Sequence, residues 1–129
     1  MPKVSILMPA YNAERYIVAA IESVIAQSYG DWELIIVDDA SSDNTGVICD
    51  QYALKDKRIK ILHHAENKGI SIGKNEALKH ASGEYITFCD DDDIMDSKTL
   101  EDNLYLMEKN NAQIVRWSYK TCLLYTSPS

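Results

Sequence analysis

The sequence predicts an α/β fold in which a mostly parallel sheet carries helices on both faces. Short β-type apolar runs alternate along the chain with segments whose apolar residues recur at helical spacing, without an internal repeat or a low-complexity linker. One of these runs, residues 33–37, is continuously apolar after its first residue, as is typical of strands that are buried on both faces. Alternation of this kind produces parallel strands joined by right-handed crossovers.

Five strands are predicted in chain order. The first is a β-type run over residues 4–8, which Pro9 should end because proline cannot donate a hydrogen bond to a neighbouring strand. The other four are predicted at residues 33–37, 58–63, 85–89 and 113–117.

Four helices are predicted between these strands. Asn12 is a suitable N-cap for the first, because its side chain can accept a hydrogen bond from a free helical amide. In the last helix Leu100, Leu104 and Met107 recur at helical spacing and should face the core. The helices are predicted at about residues 13–27, 41–54, 71–80 and 98–109.

Composition narrows the possible functions. A chain of 129 residues with 46% hydrophobic content suggests one domain, and its net charge of −7 argues against a protein that binds nucleic acid. No apolar stretch approaches the roughly 20 residues of a membrane span. The first strand begins at once, so no secretory signal is expected. Three cysteines without a CxxC pair favour a reduced, cytoplasmic compartment over a disulfide framework or a zinc site.

Residues 122–129 differ from the rest of the chain. The segment shows no periodicity, has no obvious partner strand, and resembles the translation of an adaptor used in DNA-sequencing libraries. We therefore expect residues 1–121 to be native and residues 122–129 to be a non-native tail.

Acidic and aromatic side chains follow three of the predicted strands. Tyr11 comes after the first strand, Asp38 and Asp39 after the second, and four aspartates at residues 90–93 after the fourth. Because the carboxyl ends of parallel strands share one edge, these side chains should meet there. Carboxylate oxygens suit Mg²⁺ or Mn²⁺, and an aromatic ring suits a nucleotide base. The alternative for the four aspartates is a solvated loop.

Four segments resemble the family 2 glycosyltransferases in order and spacing. They are residues 9–12 (PAYN), 37–43 (VDDASSD), 67–75 (NKGISIGKN) and 83–93 (GEYITFCDDDD). The resemblance covers about residues 3–118 and implies the GT-A fold, here as the half that binds a nucleotide sugar, incomplete at its carboxyl end. It also implies an inverting, metal-dependent transfer of sugar from a nucleoside diphosphate sugar, with UDP the expected nucleotide.

The resemblance assigns the binding roles. Tyr11, in the segment that begins at Pro9 and includes Asn12, is similar to the aromatic residue that stacks on the base. Asp39 is similar to the carboxylate that accepts a hydrogen bond from the base or the ribose, with Asp38 supporting it. All of these residues are expected to bind the substrate.

The acidic run is similar to the family's Asp-x-Asp pattern. That pattern implies Asp92 as the direct metal ligand, with Asp90 beside it, and places Asp91 near the ribose and the diphosphate. The role of Asp93 is less defined. The expected cofactor is Mn²⁺ or Mg²⁺.

One position departs from the family pattern. Lys74 stands where the family usually has arginine, so it can offer charge to a diphosphate but not a planar bidentate contact. The alternative is that Lys74 is a solvent-exposed lysine on a helix and does not contact the diphosphate. His63, His64 and His80 are expected to be structural, because no serine or cysteine nucleophile is arranged around them.

The resemblance implies a glycan or lipid-linked acceptor in bacterial surface polysaccharide or glycolipid synthesis, with possible peripheral association at the inner face of the plasma membrane. Family members take the general base from a later segment, so no residue of this chain is assigned as the base. Two alternatives stay open. A sugar-nucleotide pyrophosphorylase would show a glycine-rich loop after the first strand, and a receiver-like domain would show a lone aspartate where His63 ends the third.

Overall fold

The computed structural model describes residues 2–110, 114–116 and 123–126. Its strands are β1 Val4–Ala10, β2 Trp32–Asp38, β3 Ile59–His63, β4 Tyr85–Phe88, β5 Ile114–Arg116 and β6 Leu123–Thr126. Its helices are α1 Ile17–Ile25, α2 Thr45–Lys55, α3 Ile70–His80 and α4 Thr99–Asn110. Strands and helices alternate through β5, as the sequence predicts.

The six strands of the described chain form one sheet in the order β3-β2-β1-β4-β6-β5. The pairs β1–β2, β1–β4 and β2–β3 are parallel, whereas β4–β6 and β5–β6 are antiparallel. The expected mostly parallel α/β sheet is therefore confirmed. Of the predicted fifth strand, residues 113 and 117 lie outside the described residues.

Helices cover both faces of the sheet. The larger core cluster packs α1 and α4 against the even-numbered side chains of β1 and β2, with Cys49 of α2 at its edge. The smaller cluster packs Ala77 of α3 against Leu7, Ile35 and Ile86 on the opposite face. Alternating strand residues point to opposite faces, so β1 and β2 present mainly apolar side chains to both helix layers, and the buried Ser5 and Glu33 are hydrogen-bonded to each other. Leu100, Leu104 and Met107 are buried as predicted.

Pro9 does not end β1, contrary to the prediction. Leu7 accepts a hydrogen bond from the backbone amide of Cys89, so the odd-numbered backbone groups of β1 face β4. The pairing of β4 with β1 stops at the pair Leu7–Phe88. At Pro9, β1 is no longer paired with β4, so the hydrogen-bond donor that proline lacks is not needed there. β1 therefore continues beside β2 to Ala10.

The carboxyl ends of the central strands lie side by side. Ala10 at the end of β1 pairs with Asp38 at the end of β2, and Asp38 in turn pairs with His63 at the end of β3. The residues that follow these ends therefore meet at one edge of the sheet, which is where ligands bind in open parallel sheets.

Leu123–Thr126 has a partner strand, contrary to the expectation for the tail, because it pairs antiparallel with β4. That pairing describes its conformation, and the non-native origin of residues 122–129 stays a prediction. Within the described part of the chain, no helix combines the length and the apolar character needed to cross a membrane.

Candidate functional site

A cavity of about 430 Å³ opens at the carboxyl edge of the sheet. That volume lies in the range of small-molecule sites. Segments after β1, β2 and β4 line it, together with the start of α3. The lining residues are Pro9, Ala10, Tyr11, Val37, Asp39, Asn67, Gly69, Ile70, Gly73, Asp90, Asp91 and Asp92. Six of the nine predicted site residues are therefore brought together: Pro9, Tyr11, Asp39, Asp90, Asp91 and Asp92.

The loop between β1 and α1 is fixed by side chains from other loops. Four consecutive backbone amides, from Tyr11 to Glu14, each donate to such a side chain. The acceptors are Asp91 Oδ2 at 3.0 Å, Ser41 Oγ at 3.0 Å, Thr45 Oγ1 at 2.8 Å and Asp43 Oδ2 at 3.2 Å. The loop is thereby held in place beneath Tyr11, whose side chain is 49% exposed at the cavity.

Asn12 is not the N-cap of α1, which begins at Ile17 after Tyr16. Its backbone takes a positive φ of 47°, and its Oδ1 accepts hydrogen bonds from the amide and hydroxyl of Ser42. Asparagine tolerates this left-handed conformation better than most residues. Asn12 therefore shapes the loop that carries Tyr11, and its side chain is not among those that line the cavity.

Asp39 is a buried carboxylate held by three donors. Its Oδ1 accepts from His64 Nδ1 and the Lys68 amide, both at 2.8 Å, and its Oδ2 accepts from the Gly69 amide at 2.9 Å. Burial by itself raises the pKa of Asp39, but these hydrogen bonds outweigh it and hold the pKa below its ordinary value. A carboxylate offers about four acceptor positions, so within the described chain Oδ2 keeps capacity for a ligand in the cavity.

Asp38 points away from the cavity. Its Oδ1 accepts from the Ser41 amide at 3.1 Å, and its Oδ2 lies 3.1 Å from His63 Nδ1. His63 Nε2 in turn lies 2.8 Å from Asp50 Oδ1 of α2. Asp38 therefore fixes the turn after β2, which also supplies the acceptors for the Tyr11 loop.

The four aspartates divide into two groups. The carboxylates of Asp90, Asp92 and Asp93 offer oxygen atoms that all lie within 4.8 Å of one another, a set that could hold a metal ion. Three oxygen donors of this kind suit Mg²⁺ or Mn²⁺. Asp93, whose role the sequence left undefined, thus joins the two predicted metal ligands.

Asp91 differs from its neighbours because it accepts the hydrogen bond from the Tyr11 amide. Burial raises the pKa of Asp91, and the charges of Asp92 and Asp90 add to that rise, while the Tyr11 amide opposes it. Asp91 therefore joins the loop after β4 to the loop after β1, and it lines the cavity.

Lys74 is not among the residues that line the cavity, although its neighbour Gly73 is. The Lys74 ammonium lies 5.3 Å from the centre of the Phe88 ring, within the range of a cation–π contact. Phe88 ends β4, so Lys74 contacts the strand end that precedes the acidic segment.

His64 is the residue whose connection to the site the sequence reading missed. Its side chain is 4% exposed and lies between Asp39 and Glu76 of α3, 2.9 Å from Glu76 Oε2. The pairing register of β2 and β3 could have revealed this contact. His63 pairs with Asp38, so the residues that follow them, His64 and Asp39, must also lie side by side.

Comparison with known proteins identifies the family. The Glycosyl transferase family 2 profile matches residues 5–122. The chain is 45% identical over 117 residues to the UDP-Glc:alpha-D-GlcNAc-diphosphoundecaprenol beta-1,3-glucosyltransferase WfgD from Escherichia coli, covering 91% of this chain and 46% of that protein. It is 43% identical over 112 residues to the putative teichuronic acid biosynthesis glycosyltransferase TuaG from Bacillus subtilis, covering 86% of this chain and 44% of that one.

A solved structure shows the same fold. Residues 1–349 of TarS from S. aureus, in complex with UDP-GlcNAc, superpose with a TM-score of 0.81 at 32% identity, covering 87% of this chain and 33% of that one. The expected GT-A fold is thereby confirmed. The chain spans less than half the length of both curated relatives. With a family profile that matches from Ser5 to Cys122, the chain belongs to glycosyl transferase family 2.

Proposed function

We propose that this chain is the donor-binding part of an inverting, metal-dependent glycosyltransferase that takes sugar from a nucleoside diphosphate sugar, with UDP as the nucleotide. The observation that carries the proposal is the single cavity shared by Tyr11, Asp39 and the acidic segment after β4. An aromatic face, a buried carboxylate and clustered carboxylates match the base, the ribose and the metal-bound diphosphate of such a donor. The UDP-GlcNAc complex of TarS supports the choice of nucleotide.

The nucleoside is held by Tyr11 and Asp39. The half-exposed ring of Tyr11 offers a π-face for stacking on the base, and the loop amides that fix its backbone reduce the entropy lost on binding. Asp39 accepts a hydrogen bond from a base N–H or a ribose hydroxyl, because its lowered pKa keeps it ionised near neutral pH. Pro9 lines the same cavity, whereas Asn12 and Asp38 contribute by shaping the two loops.

Asp90, Asp92 and Asp93 are the residues that would hold a divalent cation, Mn²⁺ or Mg²⁺. Such a cation supplies Lewis-acid stabilisation of the negative charge on a departing diphosphate. Asp91 instead keeps the loops after β1 and β4 together, so the base platform and the acidic cluster stay in register. Lys74 adds positive charge beside Phe88 at the end of β4 and does not line the cavity.

The acceptor is a glycan or a lipid-linked sugar in bacterial surface polysaccharide or glycolipid synthesis, handled at the inner face of the membrane. This part of the proposal rests on the names of the curated relatives, one of which acts on a diphosphoundecaprenol-linked sugar. Family membership argues against the pyrophosphorylase and the receiver-like domain as alternatives.

Donor binding tests the proposal directly. Isothermal titration of the chain with UDP should show binding that tightens about tenfold or more when Mn²⁺ is present, because the cation joins the aspartates to the diphosphate. Asp92→Asn should remove the metal dependence. Asp31→Asn, an exposed aspartate that precedes β2 at the opposite edge of the sheet, should keep it. A chain that is folded by circular dichroism but shows no metal-dependent binding of UDP would refute the proposal.

A further inference from the structure

His64 is a buried histidine with a carboxylate at each ring nitrogen. Its Nδ1 lies 2.8 Å from Asp39 Oδ1 and its Nε2 lies 2.9 Å from Glu76 Oε2. Its backbone amide also donates to the Asp38 carbonyl at 2.9 Å, which fixes the ring beside the end of β2. The ring thus joins the segment after β2 to α3, and both of these elements line the cavity.

The two contacts require a protonated ring. An ionised carboxylate can only accept, so each nitrogen must donate, and only the imidazolium has two N–H groups. The hydrogen bonds with Asp39 and Glu76 raise the pKa of His64 above its ordinary value, in spite of a burial that opposes the charged form. The same contact with His64 lowers the pKa of Glu76.

Within the described part of the chain, other charged groups lie near this cluster. Lys68 and Lys79 add positive charge near Glu76, and Asp38 and His63 form a neighbouring pair. His63 likewise joins Asp38 to a second carboxylate, that of Asp50 in α2. Each histidine therefore titrates between its own two carboxylates. Of these four carboxylates, only that of Asp39, a partner of His64, lines the cavity.

We propose that His64 is a positioning residue for donor binding: its imidazolium joins the Asp39 carboxylate to Glu76, so that the nucleoside-binding carboxylate and α3 form one rigid wall. The inference rests on the proposed function, in which Asp39 accepts from the nucleoside. When the ring loses its proton, one carboxylate faces a lone pair and the buried cluster gains a full negative charge. Glu76 is the partner that is released, because its side chain is 32% exposed and can turn to water.

Donor affinity should therefore fall as pH rises through the pKa of His64. UDP-GlcNAc is the suitable probe, because its diphosphate is doubly esterified and does not titrate between about pH 6 and about pH 8.5, the interval in which histidines change charge. Titration in Mg²⁺ should show affinity that is highest at the acid end and declines several-fold across this interval. His64→Gln should bind UDP-GlcNAc about tenfold more weakly at the acid end, because a charged hydrogen bond is lost. Its affinity should not change with pH across this interval, because the titrating ring is gone.

Two further variants separate positioning from folding. Glu76→Gln keeps an acceptor for Nε2 but removes the charge that favours the imidazolium, so the decline should move to lower pH. His63→Gln is the matched control, because it removes a histidine between two carboxylates that do not line the cavity, and it should keep the decline of the unchanged chain. The carbon-bound ring proton resonances of His64, followed by NMR without ligand, should report a pKa above 6.5, the ordinary value.

The outcomes distinguish the two proposals. If the folded chain fails to bind UDP-GlcNAc at every pH, the proposed function fails. If the chain binds and His64→Gln shows the same pH profile, the positioning role of His64 is wrong. An NMR titration in which the ring is neutral at pH 6.5 would contradict the inference even if all variants bind.

Discussion

Ala40 has the backbone conformation of a left-handed turn, with a φ of 62°, directly after Asp39. An L-residue pays roughly 1–2 kcal/mol in this region, whereas glycine does not, although glycine loses more entropy on folding. Ala40→Gly should therefore stabilise the chain by about 0.5–1 kcal/mol, measured by urea unfolding. Ala53→Gly inside α2 is the matched control and should destabilise it by about 1 kcal/mol. A destabilised Ala40→Gly variant would contradict this account of the turn.

The sequence predicted six of the residues that line the cavity, but it did not reveal that Asn12 and Asp38 hold the loops in place instead. Tyr11, Asp39 and the acidic segment line one cavity, as expected from their places after predicted strand ends, and their binding roles stay predictions. Adjacent residues at a strand end point to opposite faces, so Asp39 lines the cavity and Asp38 does not. The same alternation separates His63 from His64 and sends each to a different carboxylate. A prediction from residue type alone treats such neighbours as equivalent.

Helix starts were the least predictable feature at the scale of elements. The sequence places the start of the first helix at about residue 13 and that of the second at residue 41, but α1 begins at Ile17 and α2 at Thr45. The reason is tertiary, because the loop amides that would open α1 donate to side chains near the start of α2. The spacing of apolar residues does not reveal such contacts. Strands and helix interiors were predicted because packing against the core sets the period of their apolar residues.

The turn between α3 and β4 depends on close backbone contact at Gly83. A Cβ there would lie 2.6 Å from the Ser5 backbone nitrogen and 2.9 Å from the Val4 carbonyl carbon, so β1 and the start of β4 could not both keep their places. Gly83→Ala should destabilise the chain by about 1–3 kcal/mol in urea unfolding. Gly30→Ala is the matched control and should change little, because its new Cβ would meet nothing closer than 3.8 Å. Equal stability of the two variants would show that the turn can relax.

The whole sheet was predictable in its parallel part. The parallel pairing of β1, β2, β3 and β4 follows from the alternation of strands and helices, because a parallel connection needs a crossover. The order of these strands was not predicted. The antiparallel edge was not predicted, because residues 122–129 were set aside for their lack of periodicity and their resemblance to an adaptor sequence. Leu123–Thr126 nevertheless adds a strand beside β4, and antiparallel edge strands are common on otherwise parallel sheets.

Stability of the whole molecule should depend on pH through two opposing sets of groups. The first set consists of five carboxyls whose pKa is lowered. Hydrogen bonds outweigh the cost of burial in Glu33, Asp39 and Asp43, the Arg58 side chain lowers the pKa of Asp56, and the His64 ring lowers that of Glu76. The second set is His63 and His64, whose pKa values their carboxylate partners raise. Asp91 opposes the first set, because burial raises its pKa.

A group with a lowered pKa stabilises the fold above its ordinary value and loses that contribution as pH falls through the lowered value. A histidine with a raised pKa stabilises fully below 6.5, its ordinary value, and loses that contribution as pH rises through the raised value. The melting temperature should therefore be highest between 4.5, the ordinary pKa of glutamate, and 6.5, and should decline on both sides. Calorimetry of a His63→Gln, His64→Gln double variant should show no alkaline decline between about pH 6.5 and about pH 9. A decline that persists in the double variant would assign the alkaline loss to other groups.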